Sequence, residues 1–451
     1  MKILLTVHQF VPEWSAGTEI LTFSVAKELM RRGHQVTVFT GFPVAENPPA
    51  DQRIDRYEIE GISVYRYAHA MLATAEQAAT TEIEYDNHLA TRLFDDLVAN
   101  VQPDIIHFFH FFRLGSGLID VAVKRGILAY FTPTDFWTIC PTNQLLLTDN
   151  TMCKGPSCAA GNCIKHIVML TRGEKERNFM SKLPTPIADI SALLISKLFA
   201  KRHHLALEIS AMVKRSKLNV ARVNQLQRIF SPSRLMTETL VNNGINADLM
   251  QSTAFGIDVS GYEHAQTRTG VARTIGFIGT ISETKGCHVL INAFKQLNLP
   301  DVRLKMYGSF EHYPDYAASL QALAAECDAI EFCGTFPNQQ IAHVLSELDA
   351  LVVPSLWYEN TPLVVYSALA ARCPVVASNF AGMSEVVRHD DNGLLFTAGD
   401  ADLLAETLRS LATTADLLPR LSANCQPPKS TVQYVDEIEA VYQHDLASTK
   451  K

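Results

Sequence analysis

At 451 residues the chain is long for one domain and comfortable for two. It is 47% hydrophobic and 19% charged, the balance of a globular protein, and no apolar run reaches the roughly 18 residues of a membrane span. The net charge of −8 is uneven: residues 165–228 hold 13 Lys or Arg against 4 Asp or Glu, a local +9. Basic charge confined to one segment, with no nucleic-acid motif, excludes a general nucleic-acid binder. The opening MKILLTVHQF has too short an apolar core for a signal peptide and reads as a first strand, so a cytoplasmic protein is expected.

Lys2–Val7 is that strand. Residues 18–32 follow as a helix with Ile20, Leu21, Val25 and Leu29 on one face, and Val36–Phe39 is the next strand. The loop Gln9–Gly17 between them lacks the GxGxxG of a nicotinamide-binding unit. Gly17 is either a plain helix-entry glycine or a point where backbone meets a phosphate. Gly61–Tyr67 reads as a strand paired with Tyr57–Ile59, Ile83–Val101 as one helix, and Asp104–Phe109 and Ile127–Phe131 as buried strands. The last of these delivers Thr134, Asp135 and Trp137 to the same end of the sheet. Strand alternation would put His107 and His110 on opposite faces, so at most one could face a ligand. Trp14, Trp137 and Trp357 each fall in a loop of this kind, as an acceptor-side platform for a sugar or as packing of loop on loop.

Of the nine cysteines, Cys287, Cys327, Cys333, Cys373 and Cys425 are scattered and read as small buried residues. Cys140, Cys153, Cys158 and Cys163 cluster with 12, 4 and 4 intervening residues and no CxxC, either as a zinc set or as free thiols in an irregular flap over residues 140–166. From His166 to Arg228 the pattern is helical, with breaks at Pro184 and Pro186. Within it, Leu193, Leu194, Ile195, Leu198 and Phe199 form an apolar patch followed by Lys201-Arg202-His203-His204. That patch suits an interfacial helix on anionic lipid, or an ordinary helix with a solvated basic face.

The hydrophilic span from Asp258 to Gly270 reads as a linker. Thr274–Ile278 then begins a second parallel sheet, Gly279-Thr280 starts its loop, and Lys285-Gly286 opens a helix to Leu297. Val302–Tyr307, Ala329–Phe332 and Val375–Ala377 continue the sheet. The stretch Pro354–Phe396 is a strand–loop–helix–strand unit, the kind that places ligands at strand C-termini. A buried strand, Leu348–Val353, leads to a loop with one acid, Glu359. Thr361-Pro362 opens a helix predicted to bury Leu363, Val364, Leu369 and Ala370. A helix start holds an anion and Glu359 accepts from hydroxyls, which together suit a phosphorylated sugar; the plainer reading is that Glu359 only complements the helix dipole.

The run P-S-x-x-x-E-x-x-P-L-V-x-x-x-A-x-A, then P-V-V-A-S, G-x-x-E-V-V and N-G-L-L-F, resembles the donor-site region of family-4-type glycosyltransferases. That resemblance implies a GT-B fold and a retaining enzyme. It makes Lys285 the diphosphate-binding lysine, Cys333, Gly334, Thr335 and Phe336 the loop that holds the nucleotide base, and Ile229–Ser233 the last strand of the first domain. It also implies that Phe255–Asp258 crosses between domains and that Val432–Leu446 crosses back. The chain departs from the family at four places. Ser367 stands where a second glutamate binds ribose, Thr280 where an arginine is usual, Thr134 where many relatives carry a histidine, and Arg372 where a glycine is usual.

The expectation is therefore an α/β protein of GT-B type, with two Rossmann-like doubly wound domains facing across a cleft: residues 1–255 on the acceptor side, residues 256–427 on the donor side, and a tail at 428–451. The expected activity is hexosyl transfer from a UDP- or GDP-type sugar to a glycan or lipid-linked acceptor, in polysaccharide biosynthesis. Glu359 and Lys285 would be catalytic, and Gly17, Gly279, Thr280, Asn360, Thr361, Pro362, Leu363, Val364 and Ser367 would bind the donor, with no metal required. Peripheral contact with the inner membrane face fits the basic segment. A non-catalytic sugar-nucleotide-binding partner and a sugar-nucleotide epimerase are the rival readings, motivated by Thr134, Thr280 and Ser367.

Overall fold

The computed structural model describes residues 1–449 apart from 75, 150, 200–202 and 361. It divides into two compact units, Met1–Ala254 with Val432–Lys451, and Phe255–Thr431.

The first unit is built on an eight-stranded sheet: β1 (Lys2–Val7), β2 (Gln35–Pro43), β3 (Ile54–Ile59), β4 (Ile62–His69), β5 (Ile105–Phe108), β6 (Leu128–Phe131), β7 (Arg228–Ser231) and β8 (Met250–Ser252). Their order is β3-β4-β2-β1-β5-β6-β7-β8, and only the β3–β4 hairpin is antiparallel. In β1, Ile3, Leu4, Leu5 and Val7 are all fully buried, because crossover helices cover both faces of a parallel sheet. Strand order reverses between β1 and β5, so the crevice beyond their C-terminal ends is the expected ligand position.

The second unit carries six parallel strands: β9 (Thr274–Ile278), β10 (Arg303–Tyr307), β11 (Ile330–Gly334), β12 (Ala350–Val353), β13 (Val375–Ser378) and β14 (Gly393–Phe396). Their order is β11-β10-β9-β12-β13-β14, which reverses between β9 and β12. Alternation along β12 sends Ala350 and Val352 into one core cluster and Leu351 and Val353 into the other, so the strand is buried on both sides. The expected pair of doubly wound, Rossmann-like sheets is present.

Several local expectations change. Ile83–Val101 is two helices, Thr80–Tyr85 and His88–Val101, because Asn87 leaves the helical path and its side chain accepts from Ala90 N–H as an N-cap. Arg228–Ser231 is not the last strand of its sheet, since β8 pairs beside it. Residues 258–270 do not hang free: the Arg268 guanidinium donates to Leu348 O at 2.8 Å and Leu345 O at 2.7 Å. Pro362 lies before the helix Leu363–Ala370 as its N-cap, with ψ 136°, not inside its first turn. Leu363 and Val364 are only half-buried there, while Val365, Tyr366 and Ser367 face inward. Cys327 and Cys333 are likewise only half-buried.

The final helix, Thr431–Thr449, packs on the first unit with Tyr434, Val435, Ile438 and Tyr442 fully buried. Tyr442 hydrogen-bonds His107 Nδ1, His107 Nε2 lies 2.8 Å from Thr132 Oγ1, and Tyr434 reaches the same Thr132 oxygen at 2.9 Å. Arg32 and His34 hold Glu439 at 2.8 and 2.9 Å. His107 is thus a satisfied core histidine, and burial pushes its pKa down to about 3. Burial also pushes His69 down to about 3.

Two outcomes follow. Tyr442→Phe removes the hydroxyl from His107 Nδ1 and should cost about 1–3 kcal/mol in urea denaturation, the penalty of a buried polar atom left unpaired. His107 and His69 stay neutral when folded and take protons on unfolding below their ordinary pKa of 6.5. Their contribution to stability is full above about pH 6.5 and declines as pH falls toward 3, so the urea midpoint should drop across that window, and His69→Gln should make the drop shallower.

Candidate functional site

In the second unit the loops after β9 and β12 meet at the point where strand order reverses. Leu356 N–H donates to Thr284 O at 2.7 Å, joining the loops through their backbones. Gly286 has φ +70°, and a Cβ there would lie 1.9 Å from Pro354 O, so only glycine allows this approach. The result is that Lys285 Nζ pairs with Glu359 Oε1, which also accepts from Ser355 Oγ at 2.8 Å. The Glu359 side chain is 6% exposed and that of Lys285 is 24% exposed. Lys285 Nζ also stands 5.6 Å above the centre of the Trp357 ring. An ammonium has three donors and a carboxylate two oxygens, so both groups retain bonding capacity beyond this pair.

Around it, Gly279 and Thr280 leave β9, and Gly279 N–H is bonded to Tyr307 O at 3.0 Å. Leu363 and Val364 form the first helical turn, where N–H groups are not used by the helix itself. Asn360 is buried, and Thr361 lies outside the described residues. Ser367 is 6% exposed and lies against the Tyr262 hydroxyl. Cys333 and Gly334 end β11, and Thr335 and Phe336 follow. Gly334 has φ +71° with open space where a Cβ would point, and Phe336 packs edge-on to Tyr307 at 5.4 Å. Arg372, the residue in a glycine's usual place, has φ +51°, the left-handed backbone that favours glycine.

In the first unit the C-terminal ends of β1, β5 and β6 bring Asp135, singled out from sequence, together with His8, Glu19 and His110, which sequence reasoning did not place. His8 Nε2 stands 3.3 Å from Glu19 Oε1, His110 Nε2 lies 2.9 Å from Asp135 Oδ2, and the two imidazoles are 4.4 Å apart between ring centres. Burial lowers the His8 pKa and raises that of Glu19, so both shifts run toward uncharged forms. Arg113, on the same loop as His110, is also lowered by burial. His110 lies two residues past β5, which removes the strand alternation expected to separate it from His107. The available signal was position: His8 and His110 lie one and two residues past strands that flank the reversal of strand order. Gly17 opens the helix Gly17–Arg31 and is exposed, and Thr134 Oγ1 accepts from Thr18 Oγ1 at 3.0 Å. Trp14 packs edge-on to Phe42 at 5.4 Å. Trp137 is 3% exposed, with Arg215 4.9 Å over its ring, so it offers no open face to a sugar.

The four-cysteine zinc set does not form. Cys158 is exposed and its thiol donates to Asp189 Oδ2, while Cys140, Cys153 and Cys163 lie in one apolar pocket with His166. Burial, with Cys140 and Cys153 close by, pushes the Cys163 thiol up to about 12. Among the described residues, no group of three or more His, Cys, Asp or Glu is placed to hold a metal ion.

Residues 264–426, which include the Lys285–Glu359 pair, match the family Glycosyl transferases group 1. Amylovoran biosynthesis glycosyltransferase AmsK of Erwinia amylovora is 29% identical over 202 residues, covering 42% of this chain and 48% of that one. A D-inositol 3-phosphate glycosyltransferase of Stackebrandtia nassauensis is 32% identical over 172 residues, covering 35% and 39%. The chain thus spans about half, or less, of the length of these two relatives. Among solved structures, HepE of Anabaena in complex with UDP-glucose superposes with a TM-score of 0.63 at 14% identity, over 98% of this chain and 100% of that one. Sucrose-phosphate synthase of Thermosynechococcus elongatus gives 0.65 at 16% identity, over 99% of each. The fold is GT-B.

The loop contact predicts a contrast between two glycines. Gly286→Ala meets both a left-handed backbone, at about 1–3 kcal/mol, and the Pro354 carbonyl, so it should destabilise the second unit beyond that range in thermal or urea unfolding. Gly334→Ala meets only the backbone cost and should stay within the range.

Proposed function

We propose that the chain is a retaining glycosyltransferase that moves a hexosyl group from a nucleoside-diphosphate sugar, of UDP or GDP type, to an acceptor hydroxyl in polysaccharide biosynthesis. The observation that carries this reading is the Lys285–Glu359 pair at the strand reversal of the second unit, within the matched residues. HepE was solved with UDP-glucose, and AmsK is a glycosyltransferase of amylovoran biosynthesis; both support the choice of donor and setting.

Departure of a nucleoside diphosphate places growing negative charge on the phosphate oxygens, and fixed donors aimed there lower the barrier. Lys285 supplies a cation whose position is already set by Glu359, and the first N–H groups of the helix Leu363–Ala370 supply aligned dipoles. Glu359 accepts from sugar hydroxyls through its carboxylate. The loop from Cys333 to Phe336 receives the base, largely through backbone.

Lys285→Ala should weaken binding of the free nucleoside diphosphate by about 1.5–3 kcal/mol in calorimetric titration, the scale of a hydrogen bond to a charged group. Unchanged affinity would remove Lys285 from the donor site. Ser367→Glu should lower or leave unchanged both affinity and turnover, because the buried Ser367 already meets Tyr262 and overpacking costs about 1–3 kcal/mol. A wild type without turnover that gains it from this substitution would instead mark a decayed enzyme.

A further inference from the structure

We propose that the helices Glu174–Lys182 and Thr185–Leu198 form a docking surface for an anionic lipid bilayer, with the helix Thr185–Leu198 lying apolar side down in the interface. The first observation is where the exposed apolar side chains are. Of 13 large exposed hydrophobic residues among those described, eight fall between Leu170 and Leu205. On the helix Thr185–Leu198, Ile187, Ile190, Leu194 and Leu198 are 51–61% exposed and recur at intervals of 3, 4 and 4, which puts them on one face. Its buried residues are Ala188, Asp189 and Ala192. The usual polarity of a surface helix is inverted: small residues and a carboxylate point in, and large apolar side chains point out.

The second observation explains why the helix does not roll over. Asp189 Oδ1 accepts from Ser157 Oγ at 2.6 Å, Gly161 N–H at 2.8 Å and Ala159 N–H at 3.1 Å, and Oδ2 accepts from the Cys158 thiol. Gly161 opens the neighbouring helix Gly161–Thr171, and a Cβ there would lie 2.5 Å from Asp189 N, so the two helices are in backbone contact. Turning the apolar face inward would carry Asp189 out to solvent and leave the buried Ala159 and Gly161 N–H groups without their acceptor. The apolar face is held toward solvent by a polar anchor on its opposite side.

The third observation is charge. Between residues 170 and 205 the sequence has seven Lys or Arg against three Asp or Glu, one of the acids being the buried Asp189. Two of the seven, Lys201 and Arg202, lie outside the described residues and are counted from sequence only. The helix Glu174–Lys182 has no buried residue and contributes exposed Lys175, Arg177 and Lys182 beside exposed Phe179. A short helix with no buried face is marginal in water, and basic side chains around apolar ones match an anionic headgroup layer. A second copy of this chain fits less well, because a two-fold interface would set the same positive surface against itself. Among the described residues no helix is long and apolar enough to cross a membrane, so the contact is a surface one.

The test is co-sedimentation of the full chain, without nucleotide, with vesicles of phosphatidylcholine alone and of phosphatidylcholine with phosphatidylglycerol. Binding should appear only with the anionic vesicles and weaken as salt rises, since screening acts over about 8–10 Å near physiological ionic strength. Lys175→Glu with Lys182→Glu should weaken it about tenfold or more. Leu194→Ser with Leu198→Ser should abolish it while leaving the circular dichroism spectrum and unfolding midpoint unchanged, because both side chains are already in solvent. Absence of anionic-vesicle binding at low salt would overturn the proposal, as would a lowered unfolding midpoint in the serine pair. So would a stable dimer in light scattering that the serine pair converts to monomer.

Discussion

The geometry of the second unit depends on one close approach, that of Gly286 to the carbonyl of Pro354. Two parallel strands, β9 and β12, lie side by side although far apart in sequence, and each releases its loop at the same end of the sheet. The loops touch only because residue 286 has no Cβ. Once they touch, Lys285 and Glu359 are within bonding reach, with Ser355 on the same carboxylate oxygen. An ion pair largely withdrawn from water is weak evidence of stability, since desolvation offsets much of its attraction. Its value here is positional: each partner fixes the other's direction before any ligand arrives, so less ordering remains to be done on binding.

The first unit uses the same sheet logic with different chemistry. Its strand reversal, between β1 and β5, gathers imidazoles and carboxyls. Burial drives His8 and Glu19 toward neutral forms, whereas the second unit holds a formal ammonium against a carboxylate. On the strand that leads to His110, His107 looks similar in sequence and is doing something else: it ties Tyr442 of the last helix to Thr132, just past β6. Two histidines three residues apart thus divide between structure and site because β5 stops at Phe108.

Much of this was legible in the sequence where the signal was local. Strand positions, the Glu359 loop and the lysine at residue 285 come from apolar runs, turn residues and a motif with fixed spacing. Arg372 was visible as an anomaly, a long side chain at a glycine position, and its φ of +51° is the physical content of that anomaly. Non-local facts were not legible. Nothing in the spacing of His8, Glu19, His110 and Asp135 says that they converge, because their meeting depends on strand order. The break at Asn87 was hidden by a continuous helical pattern and is made by a side-chain cap. Trp137 read as a candidate platform and is buried, because Arg215, on a helix roughly 80 residues later in the chain, covers its ring.

The helix Thr185–Leu198 shows the limit of periodicity most directly. A 3.6-residue apolar stripe is ordinarily taken to face the core, and the sequence here contains such a stripe. Periodicity identifies a face without saying which way it points. Direction is decided by the strongest directional interaction available to the opposite face, and Asp189 supplies one by accepting from two backbone N–H groups, a hydroxyl and a thiol. Turning the helix over would leave these donors without their acceptor, at about 1–3 kcal/mol for each that is buried, a cost of the same order as the about 1.5–3 kcal/mol that an exposed Leu or Ile forgoes in water and that a bilayer can return. The anchor and the outward face are therefore one feature, and the same carboxylate that fixes the fold locally also fixes what the surface can bind.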